Sequence, residues 1–302
     1  MANSIAGASK YVGELDKMIV QVSQSGFLAD KGFKAKFVGA KTVQLPKVTM
    51  IGMGNYSRTG GYPKGDTTLA YQDYTLSMER GRQLFLDAQD ADESGVADLA
   101  GKLAGEYIRT HAVPECDAYN ISKLYGVANT KTHVTAFAEA SAVKDLMAAI
   151  NNAEAAMGYD GATSLVALVD PVMYALLQTS SELQRYITIS DFKQGEVNVK
   201  VKMLNGCAII PVSADRMKSE FTFDAGSTSS KGGFTPASGA KDVRALVLPK
   251  DSASFVKKVD KFDIINPSDV EDYDAYKINF RMYYDLIVKE SRKGTIFAIA
   301  TA

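Results

Sequence analysis

Two glycines that follow an extended apolar segment come closest to a chemical motif in this chain. Gly52 and Gly54 come directly after residues 48–51, the order in which a strand leads into a dinucleotide-binding loop. Such a site also needs a third glycine and the N-terminus of a helix beside the pyrophosphate. Ser57 stands where the third glycine would be, and the Gly and Pro of residues 60–63 disfavour a helix. The spacing therefore argues against a cofactor site, and a dinucleotide-binding enzyme is kept as the alternative from another functional class.

Two acidic clusters have the residue types of a cation site but not its spacing. An EF-hand loop needs acids at positions 1, 3 and 5 and glycine at position 6, and neither cluster has that pattern. Acids just ahead of a helix interact favourably with its positive end, so the first cluster is expected to precede a helix. We expect the second to be a solvated loop, and we predict no metal site. The clusters are Asp87, Asp90, Asp92 and Glu93, and Asp269, Glu271, Asp272 and Asp274.

The chain has few side chains suited to catalysis, with two histidines, two cysteines and no tryptophan. It contains no nucleophile elbow, Walker loop, His-Glu-x-x-His or Cys-x-x-Cys motif. Cys116 and Cys207 are expected to be small buried hydrophobic residues. A triad assembled in space from distant residues would not show in a single sequence. We predict no catalytic, cofactor-binding or metal-binding residues, and a protein that is not an enzyme.

The composition is that of an ordinary soluble protein. The chain has 302 residues, 46% hydrophobic and 23% charged, and 34 Lys and Arg against 35 Asp and Glu leave a formal net charge of -1. This balance excludes a surface that is basic throughout, although a local basic patch remains compatible with it. No apolar run reaches the ~20 residues that span a bilayer, and the N-terminus does not resemble a secretory signal. We expect a soluble intracellular protein with no membrane partner.

Apolar residues alternate with polar ones on both sides of a glycine-rich connection, residues 54–66. The alternation runs from Val43 to Met53 and from Leu69 to Met78, but its phase slips within each segment. These patterns predict a long twisted hairpin with bulges, and Pro46 predicts an edge position. A two-stranded hairpin is marginal alone in water. We therefore expect it to find its stabilising surface elsewhere, such as on another subunit.

The rest of the chain mixes helices and strands without a βαβ rhythm, which favours an α+β fold. Helical spacing predicts a helix from Ser94, a shorter one opened by Pro114 and ending near Leu124, and a third over Ser141–Met157. Asp170 is expected to cap a fourth helix that ends near Gln178. The predicted strands are 83–89, 164–170, 197–201, 207–212, 244–248, 255–265, 276–288 and 295–298, with a tight turn at Asn205-Gly206 and a surface loop over 218–240.

Ahead of the hairpin lies a lysine-rich segment. Between Lys31 and Lys47 the chain has five lysines and no acid, the others being Lys34, Lys36 and Lys41. Its plainest interpretation is a solvated arm. The alternative is an arm that lies on an acidic neighbour or on nucleic acid.

The succession of basic arm, long hairpin, Ala-rich helix and late strands resembles the major capsid protein of tailed bacteriophages, which has the Hong Kong 97-type shell fold. The resemblance spans roughly residues 35–300 and contains no invariant catalytic signature. Residues 78–94 are similar to the return strand of that family's extended loop and the start of its spine helix. The other similar stretches are 114–123 after the spine helix, 169–177 and 205–212 in the axial-domain core, and 274–285 in the closing strands.

The resemblance implies an N-terminal arm, an extended hairpin loop, a peripheral domain and an axial domain. It implies hexamers and pentamers that tile an icosahedral phage head around double-stranded DNA, located in the virion and in the host cytoplasm during assembly. An encapsulin-like compartment that holds protein cargo is the alternative within the same fold. The implied divisions are 1–42 for the arm, 43–83 for the loop, 84–139 and 241–302 for the peripheral domain with its spine helix at 94–111, and 140–240 for the axial domain.

The resemblance also implies partners. Residues 1–42 are too few for the scaffolding extension of some members, so a separate scaffolding protein is expected beside a portal protein, with no cofactor. Some members form Lys–Asn cross-links, but Lys64 has no identifiable partner here and is expected to be a solubilising lysine. The candidate contacts between subunits are Lys31, Lys34, Lys36, Tyr56, Arg58, Tyr62, Lys64, Asp269, Glu271 and Asp272.

Overall fold

The computed structural model of the chain describes residues 19, 22–29, 36–39, 41–89, 99–134, 139–158, 165–180, 187–194, 197–226, 231–269 and 274–302. The α-helices are α1 (Leu99–Tyr107), α2 (Val113–Val127), α3 (Glu139–Met157) and α4 (Pro171–Thr179). The strands are β1 (Lys36–Phe37), β2 (Thr42–Met50), β3 (Thr67–Thr75), β4 (Met78–Asp87), β5 (Thr130–Val134), β6 (Leu165–Val169), β7 (Ile187–Gln194), β8 (Val197–Leu204), β9 (Cys207–Pro211), β10 (Phe221–Asp224), β11 (Gly233–Pro236), β12 (Val243–Pro249), β13 (Ala253–Ile265), β14 (Ala275–Val288) and β15 (Phe297–Thr301). This mixture confirms the predicted α+β class.

A seven-stranded mixed sheet lies at the centre of the fold, in the order β5-β15-β12-β6-β9-β8-β7. Strand β6 is buried along its whole length, and its side chains alternate between two cores, as the period of a strand requires. Val166 and Leu168 pack in the core that contains α1 and α2. Leu165, Ala167 and Val169 pack on the other side, with α3 and α4. The sheet is thus covered on both faces, which explains why β6 reads as a continuous apolar run.

One long helical segment runs from Leu99 to Val127 and contains a wider turn. A π segment, Ile108–Ala112, joins α1 directly to α2, and the Val113 N–H donates to the carbonyl of Ile108. An α-helix does begin at Val113 with Pro114 in its first turn, as predicted, but it continues the π segment and is not separated from α1. Proline has no N–H and its ring clashes with the preceding turn, and the wider turn accommodates it without ending the helix. Residues 94–98 of the predicted spine helix lie outside the described residues.

A second, three-stranded antiparallel sheet has the order β13-β14-β4. Its inner face shares the core of α1 and α2, to which it contributes Phe255, Phe280, Met282 and Tyr284. The strand predicted over 83–89 belongs to it and begins earlier, at Met78. The chain thus enters this sheet two residues after the hairpin ends.

The predicted hairpin is confirmed, but its bulges are not. Strands β2 and β3 pair in one uninterrupted antiparallel register, from Thr42 opposite Thr75 to Met50 opposite Thr67. Among the described residues, strand β1 pairs with residues 43–44 and Pro46 pairs with Tyr71 of β3. The residues just ahead of β1 lie outside the described residues, so the edge position of Pro46 stays a prediction. The phase slips in the sequence therefore have another cause, which the burial of the hairpin reveals.

The predicted surface loop over 218–240 contains a second small hairpin, which corrects that prediction. Strand β10 pairs with β11 from Phe221 opposite Pro236 to Asp224 opposite Gly233, and the Phe221 and Phe234 rings lie 5.4 Å apart. By contrast, the turn predicted at Asn205-Gly206 is confirmed. Leu204 pairs with Cys207 across it, and both turn residues have positive φ, 49° and 81°.

Candidate assembly surface

The hairpin changes its apolar face halfway along its length. We call residues 41–45 and 72–76 the root, and residues 46–71 the distal half. Directly opposed residues of an antiparallel pair share a face, and that face alternates along the strand. In the root, the pairs Val43–Tyr74 and Leu45–Gln72 occupy one face. Val43 and Leu45 are buried there, and they pack with Tyr74 and Leu76 against Val256, Tyr283 and Ile287 of the three-stranded sheet.

In the distal half, the apolar side chains lie on the opposite face. The pairs Pro46–Tyr71 and Met50–Thr67 are out of phase with the root pairs, and Leu69 shares their face. Met50, Leu69 and Tyr71 are 72%, 65% and 66% exposed. Soluble monomers rarely leave large apolar side chains together in water. The face of Met50, Leu69 and Tyr71, called the distal face from here on, is therefore a candidate surface for another molecule.

The tip of the hairpin is held by its own hydrogen bonds. Ser57 and Gly61 exchange backbone hydrogen bonds of 3.1 and 2.7 Å, and the Gly60 N–H donates to Ser57 Oγ at 3.0 Å. The predicted contact residues Tyr56 and Tyr62 flank this turn with ring centroids 4.9 Å apart. They are 59% and 85% exposed. Two large aromatic side chains on a preorganised turn are typical of binding contacts.

The two predicted cationic contacts and the glycine motif lie in the connection at the tip of the hairpin. Arg58 and Lys64 are exposed. Gly52 and Gly54 lie in the same exposed connection, and residues 51–66 contain no helix that could receive a pyrophosphate. The geometry of a dinucleotide site is thus missing from this segment.

A buried carboxylate anchors the chain where the hairpin returns to the body. Asp285 accepts hydrogen bonds from the Ser77 N–H at 3.1 Å and the Tyr119 hydroxyl at 2.8 Å, and it forms an ion pair with Lys123. Burial alone would raise the pKa of Asp285, but the hydrogen bonds from Lys123 and Tyr119 outweigh it and hold that pKa below its usual value. Burial likewise opposes the charge on Lys123, but the bond to Asp285 raises the pKa of Lys123. Both groups are therefore charged at neutral pH.

Arg80 connects four elements beside a cavity of about 510 Å³. Its guanidinium forms a bidentate pair with Glu115 of α2, at 2.6 and 3.1 Å. It also donates to the carbonyls of Asp224 and Gly233, which belong to the two strands of the small hairpin. The Tyr284 hydroxyl completes the network with a 2.9 Å bond to Glu115. Arg80 thus ties the strand that follows the large hairpin to the helix and to β10–β11.

The sequence analysis missed a second buried carboxylate, Asp117. Its oxygens accept five hydrogen bonds, from the Ser23 and Ser25 hydroxyls, the N–H groups of Gln24 and Ser25, and Arg216 Nη1. The neighbouring Phe27 and Leu28 are buried in the main core. The segment 22–29 is therefore packed on the body of the protein. The one indication of this site in the sequence was that Asp117, an acid, lies among apolar positions of α2.

The other predicted contacts fall largely beyond what the structure describes. Lys31, Lys34, Glu271 and Asp272 lie outside the described residues, as do Asp90, Asp92 and Glu93 of the first acidic cluster. For Lys36 and Asp269 the backbone alone is described, in β1 and in a 3-10 turn.

Both cysteines are buried, as predicted. Burial raises the pKa of the Cys116 thiol well above its usual value and that of Cys207 to about 12, so both are protonated at neutral pH. Among the described residues, no three His, Cys, Asp or Glu side chains are grouped to hold a metal ion. No helix in the described part of the chain is long and apolar enough to cross a membrane.

Comparison with known proteins identifies the fold through structure alone. No family model matches the sequence, and no curated protein matches it. The capsid of the Helicobacter pylori bacteriophage KHP30 is similar with a TM-score of 0.58 and 10% identity, covering 90% of this chain and 87% of that chain. The capsid of the cyanophage P-SCSP1u gives 0.57 and 17%, covering 88% and 85%. A virus-like particle from Pyrococcus furiosus gives 0.52 and 9%, covering 97% and 98%.

Proposed function

We propose that this chain, which has the Hong Kong 97-type fold of tailed-phage capsid proteins, is a structural subunit that assembles with its own copies into a closed shell. In the fuller form of the proposal, hexamers and pentamers form an icosahedral phage head that encloses double-stranded DNA. A separate scaffolding protein and a portal protein would take part in assembly in the host cytoplasm. The role is mechanical and not enzymatic.

The observation that carries the proposal is the distal half of the hairpin. Its large apolar side chains are exposed to solvent in the single chain, although the root of the same hairpin is packed on the body. A projecting hairpin of this kind gains stability when its exposed face is covered. In a shell, a neighbouring subunit covers it, and symmetry repeats that modest contact many times.

Electron microscopy tests this function directly. Purified full-length protein, concentrated in moderate salt, is expected to show closed shells, tubes or hexameric rings in negative stain. A field of single particles at every concentration, with and without a co-expressed scaffolding partner, would contradict the proposal. Nucleotide-induced thermal stabilisation with nicotinamide or flavin cofactors would instead support the enzyme alternative.

A compartment that holds protein cargo is the second candidate. Its support is the similarity to the Pyrococcus furiosus virus-like particle, which covers nearly the whole of both chains. Particles purified from cells separate the two candidates. Phage heads are expected to contain nuclease-protected DNA, whereas a compartment contains a bound protein and little DNA.

The basic arm supplies a finer part of the proposal. The lysines of residues 31–47 would meet an acidic run such as 269–274 of a neighbour, since charges of opposite sign at a subunit boundary guide assembly. Charge reversal at Lys34 and Lys36 is expected to weaken assembly, most strongly at low salt. Unchanged assembly at all salt concentrations would remove this contact from the proposal.

A further inference from the structure

The apolar row on the inner face of β4 is interrupted by two arginines. Alternate residues of a strand share a face, and Met78, Leu84 and Leu86 on this face pack against the main core. Arg80 and Arg82 lie between them in the same phase. At these two positions the strand borders the cavity of about 510 Å³. Cations at core-facing positions are normally paired with anions, and the two arginines differ in this respect.

The charge of Arg80 is balanced within the chain. Its guanidinium pairs with Glu115 and donates to two carbonyls. Glu79, a second acid that lines the cavity, forms an ion pair with Lys41 and accepts a 2.9 Å bond from the Tyr283 hydroxyl. Neither carboxylate is therefore available to balance another cation of the cavity.

Two further cations, Arg82 and Lys231, line the same cavity. Within the described part of the chain, neither of them forms an ion pair with a carboxylate. The remaining acid of the lining, Asp224, accepts a 3.0 Å bond from the Gly226 N–H. Two cations thus face one remaining anion, and the cavity has a surplus of positive charge. Both cations are exposed, so a ligand can reach them.

The Arg82 guanidinium lies against the backbone of the small hairpin β10–β11. A Cβ atom added at Gly226 or Gly232 would lie 3.1 or 3.5 Å from Arg82 Nη1. At Gly226 this is tighter than ordinary van der Waals contact, so the absence of a side chain there lets the guanidinium approach the backbone. A guanidinium held in this way loses less freedom when it binds a carboxylate or a phosphate, whose geometry its fork matches.

Aromatic rings form another part of the lining. Tyr107 packs edge-on against Phe280 with ring centroids 6.2 Å apart, and the His111 ring lies 5.3 Å from that of Tyr107. His111 belongs to the π segment, and wider turns of this kind are frequent at functional sites. Aromatic walls with a few polar groups are typical of ligand sites, whose volumes are roughly 300–1,000 Å³.

From these observations we infer that the cavity binds a small organic anion. Its flat apolar body lies against Tyr107, and its carboxylate or phosphate group binds Arg82 and Lys231. A neutral ligand with the same ring leaves the two cations without a partner, and an inorganic anion leaves the aromatic wall uncovered. Both should therefore bind more weakly. The inference goes beyond the proposed function and does not depend on assembly.

Ligand-observed NMR with the dispersed full-length chain tests the ligand class. The probes are benzoate and phenyl phosphate, with benzyl alcohol as the uncharged ring and inorganic phosphate as the head group alone. At least one of the two charged aromatic probes is expected to bind with a dissociation constant on the order of 0.1–1 mM. Benzyl alcohol and inorganic phosphate should each bind about tenfold more weakly or less. The preferred charged probe distinguishes a carboxylate from a phosphate ligand.

Three variants locate the site. Arg82→Gln and Lys231→Gln should each weaken binding of the charged probe by about tenfold, because each removes one charge-assisted contact. Both residues are exposed, so both variants should melt at the temperature of the wild type. Lys277→Gln is the matched control, because Lys277 lies 5.9 Å from the Phe85 ring on the opposite face of the same sheet. It should bind as the wild type does.

Several outcomes would overturn the inference. If neither charged probe binds at roughly 10 mM, the cavity is not an anion site. Equal binding of benzyl alcohol would mean that the cavity recognises the ring alone. Equal losses for Lys277→Gln and Arg82→Gln would show general attraction to a basic surface. A chain that binds the charged probe as expected but never assembles would contradict the proposed function and leave this inference standing.

Discussion

The root and the distal half of the hairpin share two strands and one register, yet their apolar side chains point in opposite directions. In the root, Val43 and Leu45 are buried against the body. In the distal half, Leu69 and Tyr71 lie on the other face and are exposed. The backbone does not cause the difference, because the pairing is uninterrupted. What differs is burial, because the root face packs on the chain's own sheet whereas the distal side chains are exposed. A change of apolar face along a regular hairpin thus coincides here with the point where contact with the body ends.

The largest expected effect is on the root. Leu45→Ala removes buried side-chain volume at the contact between hairpin and body, and should lower the free energy of unfolding by about 2–4 kcal/mol. Chemical denaturation of the dispersed subunit measures this. The matched change in the distal half, Leu69→Ala, should cost less than about 0.5 kcal/mol, because its side chain is already exposed. Equal losses would break the comparison.

The second effect concerns assembly. Here a change in the distal half is expected to matter, although it does not affect the stability of the subunit. Leu69→Ser should leave the melting temperature of the dispersed subunit unchanged, and should raise the concentration needed for assembly about tenfold, which corresponds to about 1.4 kcal/mol. Sedimentation of particles at increasing protein concentration measures it. Thr68→Ser, on the opposite face, serves as the control and should assemble as the wild type does.

A smaller effect concerns the Asp285 carboxylate, which binds the Ser77 N–H just after the root, and it depends on pH. The pKa of Asp285 is held below its usual value of 3.8, so the charged carboxylate stabilises the fold above about pH 4, and this stability is lost as the pH falls through the folded pKa. Asp285→Asn should be less stable than the wild type at pH 7, and the gap should narrow as the pH falls below 4. Denaturation curves between pH 2.5 and pH 7 measure the gap.

In the distal half, Asp66→Asn provides the control for that experiment. This variant should be as stable as the wild type at pH 7, since Asp66 is exposed in the distal connection. A gap for Asp285→Asn that is constant with pH would show that its carboxylate acts through shape and not through charge.

The smallest effect is on the rate of assembly. Replacing Arg58 and Lys64 together by alanine should slow the growth of light scattering by roughly two- to fivefold at low salt, because steering by exposed charges acts on association. At 1 M salt, where the Debye length is ~3 Å, the variant and the wild type should assemble at the same rate. A difference that persists in high salt would mean that these side chains act through packing.

The sequence predicted an element well where the residues that determine it lie within the element or next to it. Leu165–Val169 reads as a buried strand because helices cover both of its sides. Asp170 was predicted as a helix cap, and its carboxylate accepts a 2.7 Å bond from the Met173 N–H. In each case the residues that determine the structure are close together in the sequence.

The errors arose where the determining partner is distant or a residue was judged alone. The slips within 43–53 and 69–78 were attributed to bulges, although the pairing is uninterrupted and the apolar side chains change face where the buried root ends. Pro114 does lie in the first turn of an α-helix, as predicted, but the π segment that joins this helix to the one before it was not predicted. The Ser and Gly content of 218–240 favoured a loop, although phenylalanines in this range belong to the paired strands β10 and β11. No residue near Asp117 in the sequence indicates that Ser25, which lies 92 residues away, is its hydrogen-bond partner.

The distance in sequence between Ser25 and Asp117 has a consequence for synthesis on the ribosome. Residues 22–29 leave the ribosome before Asp117, which follows about 5–20 s later at a synthesis rate of roughly 5–20 residues per second. Arg216, which also binds Asp117, follows later still. Most residues of the core that buries Phe27 and Leu28 are likewise synthesised after them. Phe27 and Leu28 are therefore synthesised well before most of the residues that bury them.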